Sequence, residues 1–171
     1  MKSKITLFIC LFLTLCFNSC ENKSKEPNVY DFRESYGSFD YNLPVINVKM
    51  KNNKNIGFIV DSGSEANIIS YSYYKNNKDL FEVIGTTDYI LSTMDTENRM
   101  TGYIVRTVIE DSIVVDFTTM EINAMLNNVA AKQGATIKGI LGVKFLYDNN
   151  VAIDFSNKKV ITNNKLDYAT I

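Results

Sequence analysis

One carboxylate stands apart in this chain: Asp61, followed at once by Ser62, Gly63 and Ser64. The large apolar residues Phe58, Ile59 and Val60 precede it, and Ile68 and Ile69 resume the pattern downstream. The first run predicts a buried strand, and the serine and glycine residues after it predict a tight reversal. Asp61 is therefore expected at the end of a buried strand, held by neighbouring amides and hydroxyls, where a carboxylate can act as general acid or base. An Asp-Ser/Thr-Gly tripeptide arises by chance in roughly one chain in ten of this length, so alone it is only a turn. Its meaning depends on what else the chain supplies.

The sequence narrows the chemistry by omission. Its 171 residues include no histidine. No Ser-His-Asp triad, Cys-His pair or His-ligated zinc site can be built, and any hydrolytic chemistry falls to carboxylates. Cys10, Cys16 and Cys20 all lie near the start, which leaves the remainder no thiol pair to oxidise and makes it depend on its core alone. A formal charge of −1 with no concentrated basic stretch argues against a nucleic-acid partner.

The elements that must position Asp61 follow from the texture of the chain. Lys2 and Lys4 open it, Ile5 to Phe17 form a short apolar run, and Asn18, Ser19 and Cys20 close that run. This is the charge layout of a secretory signal. Ser19-Cys20 followed by the polar Glu21-Asn22-Lys23 resembles a bacterial lipobox, which implies cleavage before Cys20 and a lipid on that cysteine. We read residues 1–19 as a lipoprotein signal peptide and 20–38 as a polar tether, with Tyr30, Phe32 and Tyr36 able instead to dock on the domain. Residues 39–171 are read as one domain, placed in the cell envelope on a membrane that it meets through lipidated Cys20.

Within that domain short strands dominate. Leu43 to Met50 and Ile56 to Val60 predict a hairpin around Asn52-Asn53-Lys54-Asn55, and Ser70 predicts the N-cap of a short helix ended by Asn76-Asn77. Tyr89 to Leu91 and Tyr103 to Ile109 predict a hairpin joined by the polar connection Ser92 to Gly102. Ile113 to Val115 and Met120 to Ala124 predict two further strands, and Met125 to Gln133 a short helix or a loop. Gly139-Ile140-Leu141-Gly142 predicts a buried strand entering a close-packed turn, because glycine admits a neighbouring backbone where a Cβ would clash. Val143 to Tyr147 predicts a helix, and Val151 to Phe155 and Val160 to Thr162 the closing strands. The expectation is an all-β domain of eight or nine strands with one or two short helices.

In this order the features resemble the retropepsin-like aspartic proteases. The resemblance covers Leu43 to Thr162 and rests on Asp61-Ser62-Gly63-Ser64, Ile68-Ile69-Ser70, the Ser92 to Gly102 hairpin in the place of a flap, and Ile140-Leu141-Gly142. Phe145-Leu146 and Val151-Ala152-Ile153-Asp154-Phe155 add to it. It implies a closed or partly open acid-protease barrel, no metal or cofactor, and peptide hydrolysis by water activated between two aspartates. Because only one such motif is present, it also implies a homodimer donating Asp61 from each copy. By resemblance, Ser62 braces the two loops across the dimer axis, Gly63 lies where the backbone passes closest to substrate, and the Ser64 hydroxyl donates to the aspartate. Ile140, Leu141 and Gly142 support the loop, while Glu65, Ala66 and Met94 line the pocket of a peptide or protein substrate. The sequence differs from the family pattern at Asn67, where serine or threonine is usual, at Lys138 and Lys144, and at the hairpin tip Met94-Asp95-Thr96-Glu97, which lacks glycine. The other reading is a lipoprotein of the same fold that binds peptide or protein without cleaving it.

Overall fold

A computed structural model of the chain describes residues 27–36, 42–92, 97–127 and 136–162. The expectations for the signal peptide, for Cys20 and for Met94 lie outside these residues. The described part is an all-β fold of eleven strands with short helices. Eight strands form one sheet in the order β2-β3-β4-β9-β5-β8-β7-β6, and three form a second in the order β1-β11-β10. The strands are β1 (Val29–Asp31), β2 (Arg33–Tyr36), β3 (Asn42–Lys49), β4 (Asn55–Val60), β5 (Ile68–Ser70), β6 (Glu82–Ser92), β7 (Glu97–Ile109), β8 (Ile113–Met120), β9 (Ile137–Leu141), β10 (Ala152–Asp154) and β11 (Lys159–Ile161).

Two central strands explain why the apolar runs flank Asp61. Along β4, Ile56, Phe58 and Val60 enter one buried cluster, while Ile59 enters a second with Val45, Ile137 and Ile140. A strand buried on both faces reads as a continuous apolar run, and that is how the sequence reads here. β9 lies parallel to β4, pairing Ile59 with Ile140 and Val60 with Leu141. Phe58 and Phe117 stack at 5.5 Å between ring centroids and anchor the larger cluster. The sheet also curls on itself. A bridge joins Met50 to Ile109, and the amide of Glu110 donates to Lys49 O at 2.9 Å, so the end of β3 meets the end of β7.

Several boundaries differ from expectation. The segment read as a tether supplies β1 and β2 instead, so the domain already includes residue 29. Tyr30 and Phe32 are buried, and Phe32 meets Phe155 edge-on at 5.8 Å. Aromatic burial outweighs the polar composition of that stretch. The two strands expected between Ile113 and Ala124 are one strand ending at Met120, with a helical turn over residues 123–127. Its inward side chains Ile113, Val115, Phe117 and Thr119 alternate with more exposed ones, a period that the exposed Val114 and the buried Thr119 obscure in the sequence. Most of the supposed connection from Ser92 to Gly102 is strand, since β6 and β7 remain paired as far as Ser92 and Glu97.

The helices fall close to where their caps place them. Tyr71–Asn76 begins after Ser70, whose hydroxyl accepts the Tyr73 amide at 3.2 Å. Val143–Asp148 follows Gly142 directly and buries Phe145. Its Lys144 pairs with Asp148 at 2.7 Å, one turn along the exposed face.

Candidate active site

The Asp61 loop leaves β4 and returns as β5, and nearly every turn of it is tied to one short stretch of chain about 80 residues away. The Asp61 amide donates to Leu141 O at 3.0 Å. Two residues later the Val143 amide donates to Ser64 O at 2.8 Å, and between them the Gly142 amide donates to the side-chain oxygen of Asn67 at 3.0 Å. The loop and the β9 turn are thus clasped backbone to backbone. Gly142 makes the approach possible, because a Cβ there would overlap the carbonyl oxygens of Ser64 and Ala66. Gly139 has the same role one step earlier, against Ile68 O and the ring of Phe58.

Inside the loop the carboxylate is held by a local turn. The Gly63 amide donates to Asp61 Oδ1 at 2.8 Å, and the Ser64 amide to Asp61 O at 3.2 Å. Asp61 is half-buried, while Ser62, Gly63, Glu65 and Ala66 are exposed. One oxygen of this partly exposed carboxylate is thus fixed by a backbone amide, which limits the rotation of the side chain. The role implied for Ser64 is corrected by the geometry: its hydroxyl donates to Ala66 O at 2.8 Å, not to the aspartate. The hydroxyl is turned into its own bend, where it satisfies a carbonyl that packs against Gly142.

Asn67, which departs from the family's usual serine or threonine, ties the loop together. It is 3% exposed and makes three ties: its side-chain oxygen accepts from Gly142, its Nδ2 donates to Asp116 O at 3.2 Å, and its backbone oxygen accepts the Thr118 amide at 2.8 Å. One amide side chain therefore joins the Asp61 loop, the β9 turn and β8, using both an acceptor and a donor that a hydroxyl could not place so far apart. The signal available in sequence is a polar amide set directly before the apolar Ile68-Ile69. Beside it, the bidentate Arg106 guanidinium, at 2.7 and 3.0 Å, holds the Asp116 carboxyl below the usual carboxylate range. Asn67→Ala is expected to leave the Gly142 amide unsatisfied in a buried place and to cost about 2 to 3 kcal/mol in urea unfolding. Loss of under about 0.5 kcal/mol would show that the clasp does not depend on this side chain.

No protein-family model and no curated protein sequence matches the chain. Among solved structures it is similar to a retropepsin-like aspartic protease from Rickettsia conorii, with 16% sequence identity and a TM-score of 0.39, over 80% of this chain and 92% of that one. The chemistry open to the loop follows from its own atoms. It presents one oriented carboxylate on an exposed turn, with no imidazole anywhere in the chain to act as its base. A single carboxylate can take a proton from water, but it cannot at the same moment donate one to a carbonyl oxygen. A complete acid–base site needs a second such group.

Proposed function

We propose that this chain is a lipid-anchored aspartic endopeptidase whose active site forms when two copies bring their Asp61 loops together. The observation that carries the reading is the clasp of the loop by Leu141, Gly142 and Val143, which fixes a half-exposed carboxylate on rigid backbone. In the dimer one Asp61 takes a proton from a water held between the pair, and that water's oxygen attacks the peptide carbonyl carbon. The second, protonated Asp61 hydrogen-bonds and protonates the carbonyl oxygen. Return of a proton to the amide nitrogen lets the C–N bond break, releasing a carboxyl and an amine. No covalent intermediate with the protein forms. In this reading Ser62, exposed beside Asp61, braces the partner's loop, and the exposed Glu65 and Ala66 meet the substrate. Lipid on Cys20 would hold the dimer at an envelope membrane with its substrates outside the cytoplasm.

One feature favours the second reading, a peptide-binding module without hydrolysis. The hairpin tip Met94-Asp95-Thr96-Glu97 lacks the glycine that gives such a tip its freedom to fold down. Incubation of the full chain with denatured protein at acid and neutral pH, with sedimentation velocity on the same samples, separates the two. The protease reading expects new peptide termini from samples that sediment as dimers. Demonstrated dimers that bind peptide and release no termini would leave the binding module.

A further inference from the structure

Level with the start of β5, the β6–β7 hairpin parts from the sheet. The last β7–β8 pair is Ile104 with Thr118; the next amide, Tyr103, turns to the Thr119 hydroxyl at 2.8 Å. From there β6 and β7 pair only with each other, and their arm leaves a cleft against the end of β8. The cleft has a volume of about 300 Å³ and is lined by Tyr71, Tyr89, Met100, Gly102, Tyr103 and Glu121, among others. Gly102 belongs to its wall because a Cβ there would strike Thr119 O and crowd the Tyr89 ring.

The walls and the charge of this cleft point the same way. Tyr71 and Tyr103 stack at 6.5 Å and 13°, and Tyr89 is held at the other side by its hydroxyl, which accepts the Glu121 amide at 3.3 Å. Among the described residues that line the cleft, Glu121 is the only acidic or basic one. It is exposed, and one carboxylate oxygen accepts from Asn123 Nδ2 at 3.3 Å. Tyrosine rings with a carboxylate at the rim suit a cation carried on an apolar stem, since the rings attract the charge and cover the methylenes. The position suits an extended peptide. β5 lies between Asn67, at the Asp61 loop, and Tyr71 at the cleft, four steps or about 13 Å of extended chain, which a bound peptide spans in about four residues.

We propose that the cleft holds a lysine or arginine side chain of the bound peptide, roughly three to four residues from the scissile bond. This rests on the peptide-hydrolysis reading for its register, but its test does not need hydrolysis. Capped octapeptides carrying a single lysine, norleucine or glutamate at each position in turn are titrated by calorimetry into the full chain bearing Asp61→Asn, which should not turn them over. At one position lysine is expected to bind about tenfold more tightly than norleucine, and glutamate more weakly than either. Adding Glu121→Gln, with far-UV circular dichroism unchanged, is expected to lower the lysine-to-norleucine ratio about threefold, the remainder staying with the rings. Equal binding of lysine and norleucine at every position, or a lysine preference that Glu121→Gln leaves unchanged, would overturn the proposal. A lysine preference at Glu121 in a protein whose wild type cleaves nothing would sustain it while removing the hydrolysis reading.

Discussion

Asp61→Asn is expected to lower peptide hydrolysis by about 10³-fold while leaving the fold in place. The substitution keeps the shape of the side chain and an oxygen at the position of Oδ1, so the Gly63 amide retains its acceptor and the turn its form. On the proposed mechanism, what is lost is the group that takes a proton from water and, in the partner copy, the group that gives one to the carbonyl. Because an amide does neither, the loss appears in kcat rather than in KM. Thermal unfolding should shift by no more than about 2 °C, less than about 1 kcal/mol for a chain of this size. Hydrolysis retained within about tenfold of wild type would remove Asp61 from the chemistry.

The second large effect belongs to Gly142. Gly142→Ala sets a methyl group against two carbonyl oxygens, those of Ser64 and Ala66, and both are backbone in a clasped loop, with little room to move. A cost of about 3 kcal/mol is expected, near the upper end for overpacking, with an unfolding midpoint lower by roughly 6 to 12 °C. Gly85→Ala is the matched control, because a Cβ there meets only Ile104 side-chain atoms at 3.7 and 3.9 Å. Its unfolding midpoint should stay within about 2 °C of wild type. If the two variants were equally stable, the Asp61 loop would not be clasped as described. Activity should also fall in Gly142→Ala at temperatures where the protein remains folded, since displacing Ser64 displaces the turn that aims Asp61.

The parts of this structure that were legible in the sequence are those whose cause is local or chemical. β4 announces itself because both of its faces are buried, and the Ser70 cap because a hydroxyl precedes the helix it satisfies. Gly139 and Gly142 were readable as points of close approach, although the sequence does not say what approaches. The contact with Asp61 is parallel pairing between β4 and β9 across about 80 residues, which no local pattern encodes. β1 was hidden because a three-residue strand with one buried side chain, Tyr30, has no period to detect. The length of the β6–β7 arm was hidden for a different reason. Where two strands pair only with each other, several side chains face solvent, so Thr86, Asp88 and Thr101 carry no apolar alternation. Asn67 illustrates a third limit. Its departure from the usual residue was visible, but its value as a brace appeared only when Gly142 and Asp116 came within hydrogen-bond reach.

Whether two Asp61 loops make one site can be measured by mixing. Wild-type and Asp61→Asn chains are unfolded together in equal amounts, refolded, and assayed for hydrolysis against the same total of wild type. If each site needs an aspartate from both copies, only wild-type pairs work, and random pairing leaves about one quarter of the activity. A residual activity of about one half, falling in proportion to the wild-type fraction, would mean that each chain acts alone and would contradict the two-copy site.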